Sequence, residues 1–152
     1  MDMRERINNA LKDAMRAREA DRLSTLRLIN AAIKDREIAV RGEAEGTDVG
    51  DDAILAILGK MVKQRIESVR AYEEGGRIEL ADKERAEIRV IEEFLPRQLT
   101  EAEVGAAIAE AIAEVGATSI RDMGKVMAAL KARHTGQMDF ARAGGVVKGQ
   151  LG

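Results

Sequence analysis

The chain has 152 residues, 45% of them hydrophobic and 34% charged, with a net charge of −2. That is the composition of a globular protein with length for one domain or two small ones, and it excludes a disordered segment. The absence of cysteine and the presence of one histidine, His134, exclude disulfides, a thiol nucleophile, thiolate-held zinc or iron–sulfur centres and an imidazole metal cluster.

No stretch approaches the roughly 20 apolar residues of a membrane-spanning helix. The N-terminus leads into no apolar run of signal-peptide length, so the cytoplasm is the expected compartment. The only aromatic residues are Tyr72, Phe94 and Phe140. The core is therefore expected to be aliphatic, in a composition whose Ala, Leu, Met, Glu, Lys and Arg favour helices.

In chain order, Met3, Ile7, Ala10, Leu11 and Ala14 recur at helical spacing and predict a first helix over about 2–17. Asp21 is the expected cap of a second helix, which carries Leu23, Leu26, Ile29, Ala32 and Ile33 to about Arg41. Residues 42–52 hold three glycines, five acids and no base. They read as a flexible connection ending in a cap at Asp51. The resemblance of this stretch to a calcium loop fails on register, because the alternating Asp positions, central Gly and terminal Glu do not line up.

Ile54, Leu55, Leu58, Met61, Val62, Ile66, Val69 and Tyr72 mark a long third helix closed by Gly75-Gly76. A fourth helix, about 79–95, is expected to bury Leu80, Ile88, Ile91 and Leu95. Pro96 stops it, since proline disfavours helical geometry at the preceding residue. Thr100 and Glu103 form a Thr-x-x-Glu capping box opening a fifth helix to about Val115, which Gly116 ends. A sixth helix runs from Ser119 or Ile120 to about Arg133, and Asp139 caps a seventh reaching Leu151. The expected architecture is all-α: a four-helix bundle over residues 1–96, then a small three-helix module over 97–152. A three-helix unit of that size is marginal alone.

Charge is unevenly placed along this succession. Thr100–Ile120 has four glutamates and no base, a charge of −4, whereas Arg121–Gly152 has six bases and two acids, 6 − 2 = +4. Such a reversal suggests a directed basic surface and an acidic partner. Lys125, Lys131, Arg133, His134, Arg142 and Lys148 are the side chains available to a phosphate-contacting face. The alternative is an ordinary solvated helix surface. Stacking platforms are scarce, with only Phe140 nearby, so any nucleic-acid contact would use phosphates and shape.

Met123-Gly-Lys-Val-Met127 permits two readings. Met123, Val126, Met127 and Leu130 have core spacing, and Gly124 would then admit a neighbouring helix. Alternatively Gly124 lets a phosphate approach the backbone near a helix start. The phosphate-loop frame Gly-x-x-x-x-Gly-Lys-Ser/Thr is missing. Arg22, Arg27, Lys63 and Arg65 are expected to lay their stems on the bundle and pair with Glu37, Glu67 or the acidic fourth helix. A second RNA-facing patch is the alternative.

His134 is expected to cap its helix, and as a general base it lacks a nucleophile and an orienting acid. Ser24, Ser68 and Ser119 fall in no nucleophile pattern. No catalytic residue, metal or cofactor is expected.

The strings Arg22-Leu-Ser-Thr-Leu-Arg27, Lys63-Gln-Arg65 with Ser68, Phe94-Leu-Pro-Arg-Gln-Leu99, Met123-Gly-Lys-Val-Met127, Gly136-Gln-Met-Asp139 and Val147-Lys148 occur in this order. Together they resemble the YqeY-like family across essentially the whole chain. That family is similar to the C-terminal tail of the B subunit of the glutamyl/aspartyl-tRNA amidotransferase, a carbon–nitrogen ligase with glutamine as amido donor. The resemblance implies an all-helical, non-catalytic accessory protein. Its small module would contact tRNA phosphates through Lys125, Lys131, Arg133, Arg142 and Lys148. Implied partners are tRNA and a tRNA-dependent amidotransferase or aminoacyl-tRNA synthetase. The competing expectation is a protein–protein adaptor that exposes Met123-Gly124 and Met138–Phe140.

Overall fold

The computed structural model describes residues 2–41 and 49–152; of the expected flexible connection over 42–52, residues 42–48 lie outside the described residues. Seven α-helices and one 3-10 turn make up the secondary structure of the described residues, with no strand among them. The contacts divide the chain into two compact units, Met1–Leu95 and Pro96–Gly152.

The first unit holds α1 (Met3–Ala17), α2 (Ala20–Val40), α3 (Asp51–Glu74) and α4 (Ile78–Glu92). Asp2 caps α1, its carboxylate accepting the Glu5 N–H at 2.8 Å. Asp21 is not the cap of α2: the helix begins at Ala20 after Glu19, and Asp21 lies in its first turn, where an acid still suits the dipole. Asp51 likewise is the first residue of α3 rather than its cap, and its carboxylate accepts the Met3 N–H at 3.2 Å. It serves the neighbouring helix start instead of its own. Gly75 follows α3 and Gly76 takes φ +72°, as the glycine pair foretells. α4 ends at Glu92, three residues short of the expected end, in a turn bonded Phe94 N–H to Ile91 O.

Ile7, Leu26, Ile29, Ile33, Ile54, Leu58, Ile91 and Phe94 are buried together in this unit. Each fully buried aliphatic chain contributes about 1.5–3 kcal/mol. The one buried polar residue of the described chain, Thr25, satisfies its hydroxyl on the Asp21 carbonyl at 3.2 Å. Ile66, expected in the core, is exposed because α3 shows that flank to solvent. Leu80, Ile88 and Leu95 are half-buried.

The basic residues of this unit follow the structural reading where their pairs are seen. Arg65 Nε donates to Glu87 of α4 at 3.0 Å, with both side chains largely covered. Arg22 pairs with Glu93 just beyond α4, and that hydrogen bond raises the arginine's pKa. Glu37 takes Arg4 instead, and Arg6 lies over the Phe94 ring, 5.7 Å from its centroid.

The second unit holds α5 (Glu101–Val115), the 3-10 turn Ile120–Asp122, α6 (Met123–His134) and α7 (Phe140–Leu151). The capping box is present: Thr100 Oγ1 accepts the Glu103 N–H at 3.2 Å, and Glu103 accepts the Thr100 N–H at 3.1 Å. Gly116 closes α5 with φ +64°. The expected sixth helix is split, its first three residues being the 3-10 turn. Asp139 caps α7 through the N–H groups of Ala141 and Arg142. Ala107, Ile108, Ala111, Val126, Leu130, Ala143 and Val147 form this unit's own core.

Candidate nucleic-acid interface

The basic surface of the second unit is built on α6 and α7, whose apolar stripes point at α5. On α6, Val126 and Leu130 are buried and Met123 and Met127 pack beside them. Both methionines reach α7, where the Met123 Cε and Met127 Cε lie 3.5 and 3.8 Å from where a Cβ on Gly144 would stand. The glycine facing a neighbouring helix is thus Gly144. Gly124, expected to admit a helix, is exposed, and a Cβ there would meet nothing within 4 Å.

The α6 start already carries an anion. Asp122 Oδ2 accepts the N–H groups of Thr118 and Ser119 at 3.0 and 3.3 Å. Those bonds, with Lys125 nearby, hold its carboxyl below the ordinary range. This favours the packing reading of the Met-Gly-Lys-Val-Met string over a phosphate seat at Gly124.

The five predicted contact residues fall into two groups. Lys125, Lys131 and Lys148 are exposed and make no salt bridge with a described residue. Arg133 and Arg142 are engaged by α5. Arg133 Nη1 donates to Glu110 Oε1 at 3.4 Å while Nη2 pairs with Glu114. Arg142 Nη2 donates to Glu101 at 3.1 Å in a highly exposed pair. Glu101 is 9 and 13 residues before Glu110 and Glu114, a helical rise of about 14–20 Å. The two arginines therefore meet α5 towards opposite ends and do not converge on one point.

Sequence reasoning passed over Glu101, Glu110 and Glu114 as partners. The available signal was the i, i+4 spacing of Glu110 and Glu114, which puts both carboxylates on one face of α5. Arg121, a basic residue outside the five expected contacts, is also exposed with no salt bridge to a described residue.

His134 is half-buried, its Nδ1 3.0 Å from Gln137 Oε1. The Gln137 amide nitrogen donates to the Arg97 carbonyl at 3.0 Å, so the histidine Nδ1 is the donor to the oxygen. The ring belongs to a clasp rather than to a reaction centre. In the same clasp Leu99 N–H donates to Gln137 O at 2.9 Å and Gln98 Nε2 to Gly136 O at 2.6 Å. Two of the recognised strings, Phe94–Leu99 and Gly136–Asp139, meet here through 97–99 and 136–137. Beside it Arg97 donates from Nη1 and Nη2 to the two carboxylate oxygens of Glu103, each at 2.8 Å.

Met138 and Phe140 pack on the second core, as Met123 does. These three side chains are half-buried, while Gly124 and Asp139 of the same two stretches are exposed, so the surface expected for an adaptor is present only in part. The described residues contain no cluster of three or more His, Cys, Asp or Glu suited to a metal. None of their helices is long and apolar enough to cross a membrane.

Comparison with known proteins places this chain in a family. The chain is 29% identical over 111 residues to altered inheritance of mitochondria protein 41, mitochondrial, of Lachancea thermotolerans, covering 72% of this chain and 57% of the relative. The proteins of the same name from Meyerozyma guilliermondii and Vanderwaltozyma polyspora are 36% and 32% identical over 89 residues, covering 59% of this chain and 44% and 46% of theirs. The chain thus spans about half the length of these fungal relatives. The model of the Yqey-like protein family matches residues 4–151, so the chain belongs to the YqeY-like family.

Proposed function

We propose that this chain is a non-catalytic accessory protein whose Pro96–Gly152 unit contacts tRNA phosphates. The observation that carries the reading is the set of exposed, salt-bridge-free lysines Lys125, Lys131 and Lys148 in a stretch of net charge +4. The similarity of the family to the tRNA-contacting tail of the amidotransferase B subunit supplies the partner class. Arg133 and Arg142 are secondary contacts, since each already has a carboxylate partner. Any carbon–nitrogen ligase chemistry would come from a larger complex with an amidotransferase or an aminoacyl-tRNA synthetase. The word mitochondrial belongs to the fungal relatives' names.

Three lysine–phosphate contacts give a log K against log salt slope of roughly −2 to −3, at about 0.7–0.9 per contact. A mobility-shift titration against bulk tRNA at several salt concentrations measures it. Lys131→Glu with Lys148→Glu is expected to weaken binding by about tenfold or more and to flatten the slope by roughly 1.5. Binding that ignores salt, or that survives both reversals, would sink the reading. A protein adaptor remains the second reading, now resting on exposed Ile120 and Val146. A partner recovered after nuclease treatment, with no tRNA shift, would favour it.

A further inference from the structure

Arg133 shares its guanidinium between two carboxylates on one face of α5, so the local charge there is 1 − 2 = −1. A lone exposed arginine would present +1. With exposed Lys131 included, the end of α6 sums to 2 − 2 = 0 rather than the +2 that the basic stretch suggests, so an approaching phosphate meets less attraction at Arg133 than the sequence alone would place there. Lys131 itself is exposed without a salt bridge, so an available cation and a neutralised one are adjacent on one helix.

We propose that Glu110 and Glu114 act as built-in competitors for Arg133, withholding it from polyanions and confining the phosphate-contacting face to the lysines. This rests on the tRNA reading and adds to it a device that sets affinity and footprint. Glu103 has no part in it, its carboxylate already accepting from Arg97 and from the Thr100 N–H. Glu101 holds Arg142 in the same manner, more weakly, because that pair is far more exposed.

The test compares the full chain with Glu110→Gln/Glu114→Gln, in titrations of bulk tRNA over a range of salt. Glutamine keeps the shape and helix propensity of glutamate, and far-UV circular dichroism with a melting curve checks that the fold is kept. Freeing Arg133 is expected to tighten low-salt binding roughly two- to tenfold and to steepen the salt slope by about 0.7–0.9. Adding Arg133→Gln to that variant should return the slope to the wild-type value. Glu74→Gln/Glu92→Gln makes the same change in net charge at exposed sites with no seen ion pair and should leave the slope unchanged.

If the wild type binds and the Gln variant has the same affinity and slope, the competitor role falls while the tRNA reading stands. Equal steepening in the Glu74/Glu92 control would also overturn it, reducing the effect to net charge. A variant that binds where the wild type does not supports it. If neither binds at low salt, both proposals fall together.

Discussion

Glu103 accepts three hydrogen bonds, from the two terminal guanidinium nitrogens of Arg97 and from the Thr100 N–H. The Arg97 hydrogen bond, then that of Thr100, lowers its pKa from 4.5 to about 2. A carboxylate depressed in the fold contributes its full stabilisation above its unfolded pKa and loses it as pH falls through the folded value. Melting curves of the wild type should therefore decline between pH 4.5 and about 2 more steeply than those of Glu103→Gln, which has no proton to take up there. Equal declines would show that the pair does not survive in solution. Half of this arrangement was legible. Thr100 and Glu103 are three residues apart and their bond is local, whereas Arg97 enters only once the chain has turned into α5. The Glu110–Arg133 pairing was illegible for the same reason: it needs the register of α6 against α5, which no local spacing specifies.

Among the elements, α7 holds three glycines, Gly144, Gly145 and Gly149, within twelve residues. Gly144 faces the methionines of α6, but a Cβ at Gly145 or Gly149 would meet nothing within 4 Å. Glycine inside a helix costs about 0.5–1 kcal/mol relative to alanine through backbone entropy. Gly145→Ala and Gly149→Ala should each stabilise the second unit by about that amount, read as a raised urea midpoint with unchanged m. No gain in either would mean that α7 is not helical at those positions. Helix existence was readable throughout because apolar residues repeat at helical spacing. Boundaries drifted where side-chain chemistry has two outlets. Asp21 and Asp51 both look like caps, yet Asp21 sits a residue inside its helix and Asp51 binds the start of α1. The sequence likewise pointed to Gly124 as the close-approach glycine, because a spacing pattern cannot say which face a second helix will cover.

For the whole molecule, the cores of Met1–Leu95 and Pro96–Gly152 have no residue in common. Leu130, 1% exposed, is central to the smaller core. Leu130→Ala should cost about 2–5 kcal/mol, a large loss for a unit whose small size leaves it marginal. Amide hydrogen exchange is expected to rise across α5, α6 and α7 while the slowest amides of α1–α4 keep their protection. Loss of protection in both would show one cooperative fold. The overall charge of −2 conceals this division: an acidic average hides a basic stretch at one end, itself partly neutralised by α5.

The clasp between residues 97–99 and 136–137 also has a consequence in time. The α5–α6 and α6–α7 hairpins join neighbours in the chain and can zip from local turns within microseconds. The clasp bonds instead tie residues 38 and 40 positions apart, so their loop-closure entropy must be met before any of them forms. The bonds between the strings Phe94–Leu99 and Gly136–Asp139 are thus expected to form late in the folding of this unit, an order that pulse-labelled amide exchange would read.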